Sequence, residues 1–141
     1  MRIDFVPAVE SDETYLLALR KQTMTEHLEA AGLFLSEAEH LARLRHLYSC
    51  CYLVLINGER IGAIKYQSTA SELNLLQLQI ERDHQGAGYG SAIIQQILAH
   101  HAGKQIGLSV LKANPAFGLY QRLGFAVVGE DEHEYLMRYE V

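Results

Sequence analysis

Three glycines at alternate positions, Gly86, Gly88 and Gly90 in HQGAGYGSA, lie between a strand-like run and a helix-like run. A strand that hands over to a helix at such a point aims several free N–H groups, and the positive end of the helix dipole, at one place. The chemistry this suits is anion binding, most directly of a phosphate or pyrophosphate. Glycine serves because a Cβ would hold the oxygens away from the amides. The same glycines also suit a tight strand-to-helix turn with close packing. Two familiar phosphate sites are excluded by the residues themselves. A P-loop ends in Gly-Lys-Ser/Thr, whereas Gly90-Ser91 is followed by Ala92. A dinucleotide fingerprint has its third glycine one position later and an acid about 20 residues on, but no Asp or Glu occurs between Gln85 and Gly129.

Downstream, NPAFGLYQRLGF carries Tyr120, a phenol that can donate a proton or anchor a helix in the core. Asn114-Pro115 is a complete helix start, an asparagine cap with proline at the first helical position. Glu72, Glu26 and His27 are proton acceptors by type, though each by itself reads first as a solvated or packing residue. His84 reads as a surface imidazole, and the other histidines, His100-His101 and His133 among them, show no metal-ligand spacing. Cys50 and Cys51 are sequence neighbours, which rarely bridge, and read as reduced strand thiols.

The elements that must position these groups follow from periodicity. RIDFVP alternates as a first strand, and Leu16, Leu19, Thr23, Met24, His27, Leu28 and Ala31 recur at helical spacing until Gly32. SEAE, from Ser36 to Glu39, is a capping box that opens a second helix reaching about Tyr48. CCYLVLINGERIGAIKYQ is a hairpin around Asn57-Gly58. In ELNLLQLQIE, Leu73 and Leu75 share one parity and Leu76, Leu78 and Ile80 the other, a slip that predicts a β-bulge or burial on both faces. Tyr89 to His101 is a helix, QIGLSVL a strand, NPAFGLYQRLG a short helix, and FAVVGE with EYLMRYEV a closing pair of strands. The order β-α-α-β-β-β-α-β-α-β-β describes one mixed α/β domain over residues 1–141, a β-sheet flanked by helices.

With 49% hydrophobic and 21% charged residues, and no apolar run near the roughly 20 residues of a membrane span, the chain reads as a soluble cytoplasmic protein. Its net charge of -5 is uneven: the acid-free segment carries +3 through Lys104, Lys112 and Arg122, and the remainder -8. One end therefore favours an anion and the other a cation. The basic excess is too small, and too poor in interleaved aromatics, for a nucleic-acid partner, and nothing marks a membrane partner.

Gln85-x-x-Gly88-x-Gly90 followed by Asn114…Leu119-Tyr120…Leu123-Gly124-Phe125 resembles the GNAT superfamily of N-acetyltransferases, and the element order is similar over nearly the whole chain. The resemblance implies acetyl-CoA as acyl donor, with the loop Gln85, Gly86, Ala87, Gly88, Tyr89, Gly90 and Ser91 around the pyrophosphate. It implies that pantetheine pairs with Leu78, Gln79 and Ile80 like an extra strand, and that the Leu78 amide polarises the thioester carbonyl. Asn114 corresponds to a cofactor-contacting position, and Tyr120 to the tyrosine that protonates the departing thiolate. Where some members carry a glutamate base this chain has Asn74, which leaves Glu72, Glu26 or His27 to act directly or through water.

The base matters unequally. Freeing a lysine-like amine at pH 7 costs about 4 to 5 kcal/mol, an α-amine only about 1. The expected reaction is direct attack of a primary amine on the thioester, the acceptor being a small amine, a peptide N-terminus or a lysine, of cationic character given the acidic remainder. Two other readings fit the same residues: a non-catalytic acyl-CoA-binding module, and an interaction domain forming a homodimer through its last strands.

Overall fold

Alternation in Ile3–Pro7 produces the edge strand β1. After a short turn the apolar stripe of Glu13–Ala30 winds into α1, and Gly32, in the left-handed region at φ 81°, turns the chain out of it. Ser36 caps α2 (Glu37–Arg45): its Oγ accepts from the Glu39 amide at 3.1 Å, while its own N–H donates to Glu39 Oε1 at 2.9 Å. This helix ends at Arg45, short of Tyr48. Lys65 Nζ collects the carbonyls of Arg43, Leu44 and His46 at 3.3, 3.1 and 2.7 Å, and Leu47 turns left-handed at φ 55°. An ammonium thus satisfies the terminal carbonyls that a further turn would otherwise have taken. β2 (Cys51–Ile56) and β3 (Glu59–Ser68) meet at Asn57-Gly58, both with positive φ as a tight hairpin requires. Cys51 is buried in β2, but Cys50 falls in the preceding turn rather than in the strand; both are free thiols.

The computed structural model describes residues 1–140. β4 (Glu72–Ile80), α3 (Tyr89–His100), β5 (Gln105–Leu111), α4 (Ala116–Arg122), β6 (Phe125–Glu130) and β7 (Glu134–Tyr139) complete one seven-stranded sheet in the order β1-β2-β3-β4-β5-β7-β6. Only β4 and β5 pair parallel. No helix among the described residues is long and apolar enough to cross a membrane.

Neighbouring strand residues point to opposite faces, and each face has its own cover. Leu53 and Ala63 pack with Leu16, Leu19 and Leu44 beneath α1 and α2. Val54 and Ile64 face the other way, toward Ile93, Ile94 and Ile97 of α3 and Tyr120 of α4. The sheet therefore separates two compartments, and anything that joins them must pass through it.

Candidate active site

The opening lies between β4 and β5, and the parity slip marks its start. Lys65 pairs with Gln77 and Tyr66 with Leu75, so Leu76 is an extra residue with no partner in β3. The bulge returns Leu78 and Ile80 to the face already occupied by Leu73 and Leu75, which is why four apolar residues of mixed parity share one core. The parallel ladder with β5 stops at Leu75 and Leu108. Beyond it the strands diverge around a cleft of about 810 Å³ lined by Leu76–Ile80 on one side and Leu108–Leu111 on the other.

Backbone polarity in the gap can be assigned. The Glu81 amide donates to the Ile61 carbonyl in β3, and groups alternate along a strand. The amides of Gln79 and Gln77 therefore face β3, while those of Leu78 and Ile80 face the cleft. The Ile80 carbonyl, on the same edge, accepts from Gln85 Nε2 at 2.9 Å, which ties the start of the glycine loop to the strand. An extended ligand laid along this edge would find N–H donors at Leu78 and Ile80. Gln79 also lines the cleft.

The three glycines do different work. Gly86 and Gly88 have φ of 79° and 83°, and a Cβ on either would meet nothing within 4 Å, so both the conformation and the open space in front of the backbone depend on glycine. Gly88 also caps α3 without a side chain, leaving first-turn amides free for an anion. Gly90 lies inside the helix, where a Cβ would press on Leu119 Cδ2 at 3.3 Å; it lets α3 approach α4. Gln85 and Gly90 line the cleft; Gly86, Ala87 and Gly88 form the loop between them, and Tyr89 and Ser91 lie in the first turn of α3, none of these five among the lining residues.

Tyr120 and Asn114 line the same cleft. Tyr120 is 6% exposed, and burial alone pushes its phenol up to about 12. Asn114 Oδ1 accepts from the Ala116 amide at 2.9 Å, so it performs the capping role that its place before Pro115 predicts. Of the proton acceptors read from sequence, only His27 reaches the cleft. Glu26 does not line it. Glu72 begins β4, opposite Gln105 and roughly 20 Å along the strand from Leu78, and is not brought to the site. Glu81, at the near end, accepts a hydrogen bond from Tyr15 at 2.5 Å.

Sequence reasoning overlooked the cleft's α1–α2 wall, where Arg20, Arg43, His46 and Lys65 lie with Thr23 and Met24. The signal was present: Arg20 occupies the i+4 position of the apolar stripe that begins at Leu16.

A layered fold with a splayed parallel strand pair, an edge of free amides and a glycine loop leading into a helix start is suited to an extended, anionic ligand. A family model described as the acetyltransferase (GNAT) domain matches residues 47–127, and the chain belongs to that family. With membership come N-acetyltransferase activity and acetyl-CoA as donor, which the open loop and unpaired edge fit. Among solved structures, PaiA N-acetyltransferase from Thermoplasma acidophilum in complex with coenzyme A is similar with a TM-score of 0.74, at 17% identity and with 100% of each chain covered. An acetyltransferase from Thermus thermophilus also has a TM-score of 0.74, at 20% identity, covering 98% of this chain and 97% of that one. The ribosomal-protein-S18-alanine N-acetyltransferase from Escherichia coli has a TM-score of 0.70, at 16% identity, covering 98% and 93%. At these identities the likeness speaks to the fold. No curated protein matches the chain by sequence.

Proposed function

We propose that this is a cytoplasmic acetyltransferase of one domain that moves the acetyl group of acetyl-CoA to a primary amine by direct attack on the thioester. The observation that carries the reading is the Leu78 N–H, directed into a gap where β4 has no partner strand and Tyr120 forms part of the wall. In this reading the amides of Gly86 to Ser91 hold the pyrophosphate, and Leu78 and Ile80 pair with pantetheine.

The amine nitrogen attacks the thioester carbon as its lone pair forms the C–N bond, and the oxyanion is met by the Leu78 N–H. When the C–S bond breaks, the thiolate takes the Tyr120 proton and the amine proton passes to His27 or to water. A phenol at about 12 facing a thiol near 8.5 makes a stepwise transfer uphill by about 5 kcal/mol. The proton therefore moves in concert with C–S cleavage.

Thermal unfolding with acetyl-CoA, and with NAD as control, tests the donor. A ligand at 100 times its Kd adds about 2.7 kcal/mol, a rise of roughly 5 to 15 °C in a domain of this size. A rise with acetyl-CoA alone supports the reading, and no rise removes it. Release of free CoA with an amine panel then separates an enzyme from a binding module.

A further inference from the structure

Two buried side-chain polar atoms lack a hydrogen-bond partner among the described residues, Arg20 Nη1 and Gln79 Nε2. Both are donors, and both residues line the cleft. Arg20 is 2% exposed and Gln79 6%. Arg20 is held in place from behind, its Nε donating to His40 Nδ1 at 3.2 Å. A buried donor left unmatched is costly, and two residues of the cleft wall each carry one, so an acceptor brought to this wall would relieve them.

Charge points to an anion. Arg20, Arg43 and Lys65 share this wall, and none of them is in an ion pair among the described residues. Burial, with Arg43 adding repulsion, pushes Arg20 down to about 10, and burial also lowers Lys65. The carboxylates of α2 are engaged elsewhere, Glu37 with Lys21 and Glu39 with the Ser36 amide. Lys65 spends its protons on three carbonyls, so it contributes charge rather than donors. These cations belong to the sheet face under α1 and α2, whereas the glycine loop leads into α3 on the other face. The cofactor's pyrophosphate, seated at that loop, does not account for them.

We infer that the acceptor is an amine that also carries a carboxylate, held by the Arg20 guanidinium and the Gln79 amide on the α1–α2 side of the cleft. The inference rests on the acetyl-transfer reading above and names its substrate class. With Nε committed to His40, the two Nη groups of the guanidinium are left as donors to a carboxylate. Asp131, in the turn after β6, and Glu134, at the start of β7, line the cleft and receive the ammonium end before it is deprotonated. The cationic acceptor expected from the acidic remainder of the chain thus becomes a zwitterion such as a free amino acid.

The test uses the full chain with acetyl-CoA and reads CoA release for L-amino acids paired with their decarboxylated amines, phenylalanine with phenethylamine and histidine with histamine among them. In at least one pair the acid is expected to exceed the amine in kcat/KM by on the order of a hundredfold. Arg20→Met should collapse that ratio through KM, and Arg20→Lys should keep part of it. Amines that match or exceed their acids across the panel overturn the inference, as does an Arg20→Met variant that lowers both members alike. Should Arg20→Met fail to fold, Gln79→Leu asks the same question. Binding gives an independent reading: N-acetyl amino acids should raise the unfolding midpoint of the CoA-bound protein. If simple amines turn over but no acid is preferred and no N-acetyl amino acid binds, this inference fails alone; if no amine turns over, or acetyl-CoA itself has no effect, the acetyl-transfer reading fails with it.

Discussion

Gly62 of β3 lies so close to β4 that a methyl group on it would sit 2.1 Å from the carbonyl oxygen of Gln79, and 3.0 Å from the Cα of Ile80. The obstructing atoms are backbone, in the stretch of strand that carries the Leu78 amide. Nothing there can yield as a flexible side chain would. Gly62→Ala is therefore expected to cost about 3 kcal/mol, more than the fraction of a kcal/mol it gains by stiffening the unfolded chain. The midpoint should fall by roughly 10 °C or more. Because the displaced strand forms the cleft edge, kcat should fall in whatever fraction remains folded, measured at a temperature well below the new midpoint.

Gly88 and Gly90 are both glycines of the same loop motif, yet their replacements should separate. Gly88→Ala forces an L side chain into φ 83° at the cap of α3 and disturbs the amides aimed at the rim. Strain of about 1–2 kcal/mol is expected, with a rise in the KM for acetyl-CoA on the order of tenfold. Gly90→Ala meets only the tip of Leu119, which can shift, so its effect should be a small change in stability with KM nearly unchanged. Steady-state kinetics beside thermal unfolding of the two variants distinguishes these outcomes.

The parts of the site that could be read from the chain are those whose cause is local. The positive-φ demand of Asn57-Gly58, the cap at Ser36 and the parity slip at Leu76 are each set by a few adjacent residues, and the structure has a hairpin, a capped helix and a bulge at those places. What escaped depends on contacts distant in sequence. That β7 inserts between β5 and β6 is decided by pairing such as Leu108 with Met137. The end of α2 depends on Lys65, which is 20 residues away in the sequence and meets the helix only once the fold brings β3 beneath it. Glu72 was a candidate because it lies two residues before Asn74 on the same strand face, but an extended strand converts a few residues into most of the sheet's height.

Lys65→Met keeps the length of the side chain and removes its charge. The carbonyls of Arg43, Leu44 and His46 lose their donor, and a stability loss of about 2–3 kcal/mol follows, measured by urea unfolding. The pH dependence has a definite sign. Burial lowers the folded-state pKa of Lys65 below the ordinary lysine value, so at alkaline pH the unfolded chain binds more protons at this position than the folded one. Stability contributed by this group therefore rises with pH through that window. The gap between the native chain and Lys65→Met should widen as pH rises toward the ordinary lysine pKa of about 10.4, and a gap that narrows would mean that the fold holds the charged ammonium better than water does.

Tyr120→Phe isolates the phenol. Burial is the sole cause of its shift, so the deletion leaves no partner unsatisfied, and the midpoint should move by no more than about 2–3 °C. Acetyl-CoA should bind as before, since the aromatic ring and its edge-on contact with Phe125, 5.8 Å between centroids, are retained. Loss of a general acid predicts a fall in kcat on the order of a hundredfold. The pH profile adds a second reading. A phenol held near 12 stays protonated where a free tyrosine, near 10, is half ionised. The native kcat should therefore show no falling limb from this group up to about pH 10, and the Phe variant should follow a parallel curve at a lower level. A fall centred near pH 10 that vanishes in Tyr120→Phe would mean that the phenol titrates normally in the working enzyme, with the cleft more hydrated than its walls imply. An unchanged kcat would remove Tyr120 from the chemistry and leave the thiolate to be protonated by water.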